Sequence, residues 1–163
     1  GLDIPAENIH AAASTDDGLD LDAAAIAYAD ELAQFAPSDR SETGPWPAFD
    51  ICFLGVGPDA HIASLFPDRP EISVTDRATV PVRDSPKPPP ERISLTRPVI
   101  NSSKRVWMVI AGADKAAALG LALAGASYQS VPAAGAKGRR RTAFFVDVAA
   151  ADQVPPQLID REY

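Results

Sequence analysis

A carboxylate and an imidazole, Asp59 and His61, stand two residues apart directly after Gly55-Val56-Gly57-Pro58. Histidine has the side chain whose ordinary pKa lies nearest neutrality, so it can take a proton and return it. A neighbouring carboxylate can orient the ring and stabilise the imidazolium that proton uptake creates. Together the two residues suit acid–base work on water or a hydroxyl. The competing reading is structural: Asp59 caps a helix and His61 packs in a turn.

Three cations could complete such a site. Lys115 follows Gly112-Ala113-Asp114 at a strand-to-helix junction. A cation there opposes the helix dipole and makes electrostatic sense if an anion such as phosphate sits between them. Otherwise it is a solvated lysine. Lys87 and Arg92 frame the loop Ser85-Pro86-Lys87-Pro88-Pro89-Pro90-Glu91-Arg92. A guanidinium grips phosphate through two parallel hydrogen bonds. The alternative for both is a solvated loop charge, and the strand after Arg92 would hold that residue. The densest basic run, Lys137-Gly138-Arg139-Arg140-Arg141, has no aromatic neighbours. It reads as a solvated loop and not as a nucleic-acid site.

Positioning these groups requires strands that end beside them. Ile51-Cys52-Phe53-Leu54 is an apolar run that reads as a buried strand, and Gly55 and Gly57 let the backbone turn at its C-terminal end. In open α/β sheets, that end of a strand is where ligands bind. Residues 105–111 form the clearest buried strand, broken by Gly112, with an Ala/Leu-rich helix over 113–124 stopped by Gly125. A last strand covers 142–147, and 148–152 starts a short helix. Residues 77–82 and 93–96 read as short strands, the first at an edge because of Pro81. From Asp20, an N-cap, the residues Leu21, Ala25, Tyr28, Leu32 and Phe35 share one helical face. A short helix is expected over 60–66, ended by Pro67. Its N-terminus would offer free N–H groups to an anion. Residues 1–18 end in the turn signal Asp16-Asp17-Gly18, residues 37–47 form a loop, and the proline segment 85–92 is stiff and extended. Strands alternating with helices mean an α/β fold with a mainly parallel sheet.

With 163 residues and 46% apolar content, the chain can bury a real core. It carries 15 basic and 22 acidic residues, a net charge of −7, which argues against non-specific nucleic-acid binding. Cys52, the single cysteine, excludes an internal disulfide and reads as a small core hydrophobe. Trp46 reads as a loop packing residue and Trp107 as a core residue. His10 and His61 lie far apart in sequence and give no metal-ligand cluster. No stretch approaches a membrane span, and neither span nor leader is expected.

Residues 55–67, Gly-Val-Gly-Pro-Asp-Ala-His-Ile-Ala-Ser-Leu-Phe-Pro, closely resemble the signature of the 6-phosphogluconolactonases. Residues 85–96 and Ala111-Gly112-Ala113-Asp114-Lys115-Ala116 resemble two further blocks of that family, in the same order. Pro5-Ala6-Glu7-Asn8-Ile9-His10 and Phe144-Phe145-Val146-Asp147 also fit. The related glucosamine-6-phosphate deaminases share the Gly-x-Gly-x-Asp-Gly-His core but continue with a catalytic glutamate; here Ala63-Ser64-Leu65-Phe66-Pro67 has none. Two departures stand out. Ala60 occupies a position usually held by glycine, and would be strained there if φ is positive. The Gly/Ser-rich phosphate loop and Asp-Glu-Arg segment of the family's N-terminal half are not found.

The resemblance implies a Rossmann-like, mainly parallel α/β sheet flanked by helices. It further implies one domain over residues 1–163, corresponding to the C-terminal two-thirds of the longer fold and incomplete at its N-terminus. The implied activity is hydrolysis of 6-phospho-D-glucono-1,5-lactone by water that His61 activates and Asp59 supports. Gly55, Gly57, Lys87, Arg92 and Lys115 would bind this phosphorylated sugar lactone. The expectation is a cytoplasmic monomer without metal or cofactor, with no nucleic-acid or membrane partner. A sugar-phosphate isomerase or deaminase of the same fold, or a non-catalytic sugar-phosphate-binding remnant, are the alternatives.

Overall fold

A computed structural model describes residues 3–39 and 43–159. Its centre is a three-stranded parallel sheet: β1 (Ile51–Gly55), β4 (Arg105–Ile110) and β5 (Arg141–Val146), in the order β1-β4-β5. An antiparallel pair, β2 (Thr79–Val82) with β3 (Arg92–Leu95), lies between β1 and β4 in the chain. The α/β class with a parallel sheet is therefore as expected.

Apolar alternation decides which face of the sheet is covered. Val106, Met108 and Ile110 of β4 are buried with Cys52 and Leu54 of β1. They pack against Leu119 and Ala122 of α3 (Ala116–Leu123) and against Ile62 and Phe66 from the loop after β1. The opposite face is different. Phe53 and Val109 are exposed there, and Trp107 is half-buried, edge-on to both Phe53 and Phe145. Trp107 is thus not in the main core, and β4 is buried on one face only. Trp46 is buried as a packing residue in a second cluster with Leu32, Ala78 and Val99.

Helix α1 (Leu21–Ala33) begins where expected, with the Asp20 carboxylate accepting the Ala23 N–H at 2.8 Å. It rests on the antiparallel pair, where the Thr79 hydroxyl donates to the Ala25 carbonyl. Phe35 falls beyond its end and is half-exposed, against the ring of His10. The segment before α1 folds into single turns; Ser14 and Asp17 cap one another's backbone there, and Gly18 closes the turn with φ 74°. The sequence reading missed α2 (Arg97–Ser102), whose first turn takes Pro98 without losing a hydrogen bond.

Three local expectations are corrected. No helix forms over 60–66: Ala60 and Ala63 take φ of 65° and 48°, and a left-handed residue cannot continue a right-handed helix. Instead Ile62 bridges to Val56 and Leu65. The helix after Gly112 opens with a tight turn over Ala113–Lys115 and becomes α-helical only at Ala116. Residues 148–152 make turns and not a helix, opened by the Ala150 N–H donating to the Asp147 carboxylate.

Candidate functional site

Parallel strands bring their C-terminal ends to one edge, so three loops meet there. The loop after β1 carries Asp59 and His61, the loop after β4 carries Lys115, and β5 runs into Asp147. His61 Nδ1 lies 2.6 Å from Asp59 Oδ1. With no helix following, Asp59 has nothing to cap, and its carboxylate goes to the ring. Phe66 backs the imidazole, with ring centroids 4.6 Å apart. Burial pushes the Asp59 carboxyl up, but the His61 hydrogen bond, the ring's charge and the Lys87 charge together outweigh it. The net effect holds Asp59 below its ordinary value.

Gly57 has a steric role. A Cβ there would overlap the His61 ring and the Asp59 carboxylate, so only glycine lets the pair close over the turn. Gly55, by contrast, has open space at that position. The strained position foreseen at Ala60 is present: its φ is 65° and its methyl is buried.

A groove of ≈ 530 Å³ runs beside this pair, lined by Gly55, Gly57, His61, Lys87 and Lys115 among others. Lys87 Nζ stands 3.8 Å from Asp59 Oδ1. Lys115 Nζ donates to the Ala111 carbonyl at 2.9 Å, which folds its side chain back over the strand end. The loops after β4 and β5 are tied together by a residue that sequence reading passed over. Asp147 accepts the Gly112 N–H at 3.0 Å and the Ala150 N–H at 2.8 Å, so it fixes the turn that leads to Lys115. A lone aspartate after a strand gives no signal of a partner 35 residues earlier.

Arg92 does not line the groove. Its Nε donates to the Pro89 carbonyl at 3.1 Å, and its Nη2 to those of Lys87 and Pro88 at 2.8 and 3.0 Å. The guanidinium also lies over Phe66, 5.6 Å from the ring centre. Arg92 thus wraps the proline segment around itself; the segment is compact rather than extended, with Ser85 N–H bonded to the Pro90 carbonyl. The basic run 137–141 sits at the other edge of the sheet, where Arg141 opens β5 opposite Arg105. Among the described residues, no three His, Cys, Asp or Glu side chains gather as metal ligands. No described helix is long and apolar enough to cross a membrane.

Known proteins with related sequences place this arrangement in context. The family described as glucosamine-6-phosphate isomerases/6-phosphogluconolactonase matches residues 1–145. A 6-phosphogluconolactonase of Streptomyces coelicolor is 49% identical over 154 residues, which is 93% of this chain and 58% of that protein. One from Mycobacterium tuberculosis is 48% identical, over 94% of this chain and 62% of its own length. The solved 6-phosphogluconolactonase of Thermotoga maritima superposes with a TM-score of 0.71 at 28% identity, covering 88% of this chain and 57% of that one. The chain spans about three-fifths of the length of these curated relatives. By sequence and by fold, it belongs to the glucosamine-6-phosphate isomerase/6-phosphogluconolactonase family.

Proposed function

We propose that the protein acts on 6-phospho-D-glucono-1,5-lactone and hydrolyses it to 6-phospho-D-gluconate. In this reading residues 1–163 form one α/β domain, the C-terminal two-thirds of the longer enzyme, and work in the cytoplasm. The observation that carries the proposal is the 2.6 Å Asp59–His61 pair opening on a groove shared with two lysines.

With Nδ1 engaged by Asp59, Nε2 is the ring nitrogen left for proton transfer. It takes a proton from water as the oxygen attacks the lactone carbonyl. The tetrahedral intermediate carries an oxyanion. Two N–H groups of the β1 turn are already in use: Gly57 donates to the His61 carbonyl and Ala60 to the Gly57 carbonyl. The Lys87 ammonium is the cation beside the pair and is suited to meet that charge. As the ring C–O bond breaks, the imidazolium returns its proton to the leaving oxygen. The products are one carboxylic acid and one hydroxyl, so atoms and charge balance. Lys115 holds the phosphate and thereby sets the carbonyl against the base.

The test is acid release from the lactone, followed above the spontaneous rate, with His61→Ala beside the native protein. A fall of ~10²–10⁴-fold in the variant is expected for loss of a general base. Turnover of glucosamine 6-phosphate without lactone hydrolysis would reverse the assignment within the family. Binding of 6-phosphogluconate with no His61-dependent hydrolysis would make the chain a sugar-phosphate-binding module.

A further inference from the structure

We propose that Phe66 is a positioning residue: its ring, anchored in the core, fixes the angle of the His61 imidazole and so aims Nε2 into the groove. The inference rests on the reading of His61 as the base. Phe66 does not itself line the groove, so it meets the substrate only through His61. The backbone around His61 is already fixed. The His61 carbonyl accepts the Gly57 N–H at 3.0 Å, and the Ala60 carbonyl accepts the Ala133 N–H at 3.0 Å. Ala133 belongs to Pro132–Gly135, a turn that is buried throughout. Only the side-chain torsions of His61 then remain to be set. Asp59 holds one edge of the ring, through Nδ1 at 2.6 Å. A single hydrogen bond at an edge still lets a flat ring tilt about it. A second flat ring against its face removes that tilt. Phe66 supplies it, with the centroids 4.6 Å apart and 36° between the planes. Phe66 is 2% exposed and packs in the main core cluster, so it does not give way.

The course of the loop supports this role. Ala60 and Ala63, on either side of His61, take φ of 65° and 48°. Left-handed backbone is costly for alanine, and such residues collect at functional sites. Here they fold the chain back, with Ile62 bridged to both Val56 and Leu65, and bring Phe66 against a ring that stands earlier in the same loop. Phe66 also carries the Arg92 guanidinium, 5.6 Å from its ring centre. An aromatic face attracts cations. It therefore suits the imidazolium that His61 becomes on taking a proton, which an aliphatic side chain in the same space would not.

The experiment uses Phe66→Leu, which keeps an apolar side chain in the core and removes the flat face. Exchange of the His61 Nδ1 proton with water, read by nitrogen-15 NMR without substrate, should speed about ten-fold or more. In the lactone assay kcat should fall about 10- to 100-fold, as misplacement of a reacting group does. KM should change little, because Lys115 is untouched. Ile100→Val, a truncation in the same core cluster on α2, should leave both readings as in the native protein. Where Phe66→Leu does not fold, Phe66→Met gives the same two readings. Native proton exchange or native kcat in the folded variant would overturn the proposal. So would equal losses in Ile100→Val, which would make the effect one of core stability. A native protein without lactone turnover would remove the lactonase reading alone, since proton exchange still decides whether Phe66 holds the ring.

Discussion

Two residues of the candidate site act through the room or the shape they give others. At Gly57, a methyl group would occupy the space of the His61 ring. Gly57→Ala should therefore lower lactone hydrolysis by ~100-fold or more, as loss of a general base does, with little change in thermal stability. Activity beside a melting curve checks this. Arg92 holds three carbonyls of the segment that carries Lys87. If it acts only by placing Lys87 against the oxyanion, then Arg92→Ala should lower kcat in the native background and add little once Lys87→Ala is present. A guanidinium that gripped phosphate directly would give additive effects in that double-mutant cycle. Asp59 has a pKa held below its ordinary value, so it is ionised throughout the neutral range. A depressed carboxylate contributes stability above its unfolded pKa, near ~3.9, and loses it as pH falls through the folded value. The pH profile of kcat/KM should accordingly show no Asp59 titration above about pH 4. Asp59→Asn should disturb the profile by removing the partner of the ring.

Elements differ in how far local chemistry determines them. Asp20 caps α1 by accepting the Ala23 N–H, a bond between near neighbours. Asp20→Ala should cost ~1 kcal/mol, read as a shift in the urea midpoint. The strands at 51–55, 105–110 and 141–146 were legible because apolar runs bounded by glycine or charge have few other folds. The pairing of Asp59 with His61 was legible because they stand only two positions apart. The course of residues 60–66 was not. Alanine at 60 and 63 gives no signal of positive φ, since alanine ordinarily avoids it, and the left-handed turns are imposed by Ile62, Leu65 and Phe66 seeking the core. The same limit hid Arg92, whose length and charge suit a phosphate as well as three carbonyls. Asp147 is a third case. Its bond to Gly112 joins two strand ends, so Asp147→Ala should loosen the Lys115 turn. KM for the lactone should rise by about ten-fold, the scale of one charge-assisted hydrogen bond, with the fold retained.

At the scale of the whole molecule, the core lies on one side of the parallel sheet, and β1 is one of the two edge strands among the described residues. An edge strand bonded to a single neighbour can part from the sheet without the rest unfolding. Cys52 makes this measurable, because it is the one cysteine and sits in β1 on the buried face. Burial pushes its thiol above the ordinary value, while Ser103 beside it pulls weakly the other way. The native thiol is therefore largely covered and protonated at neutral pH, and a disulfide reagent reaches it freely only when β1 opens. Labelling should be slow yet faster than global unfolding, and nearly independent of low urea, because little surface is exposed when one strand detaches. In the open state the rate should rise about ten-fold per pH unit while the thiolate remains the minor form. Labelling that instead accelerates steeply with urea, in step with the loss of global stability, would make β1 an integral part of one cooperative unit. Covering the β1 edge with a further strand should slow the reaction, because β1 would then be bonded on both sides and would open less often.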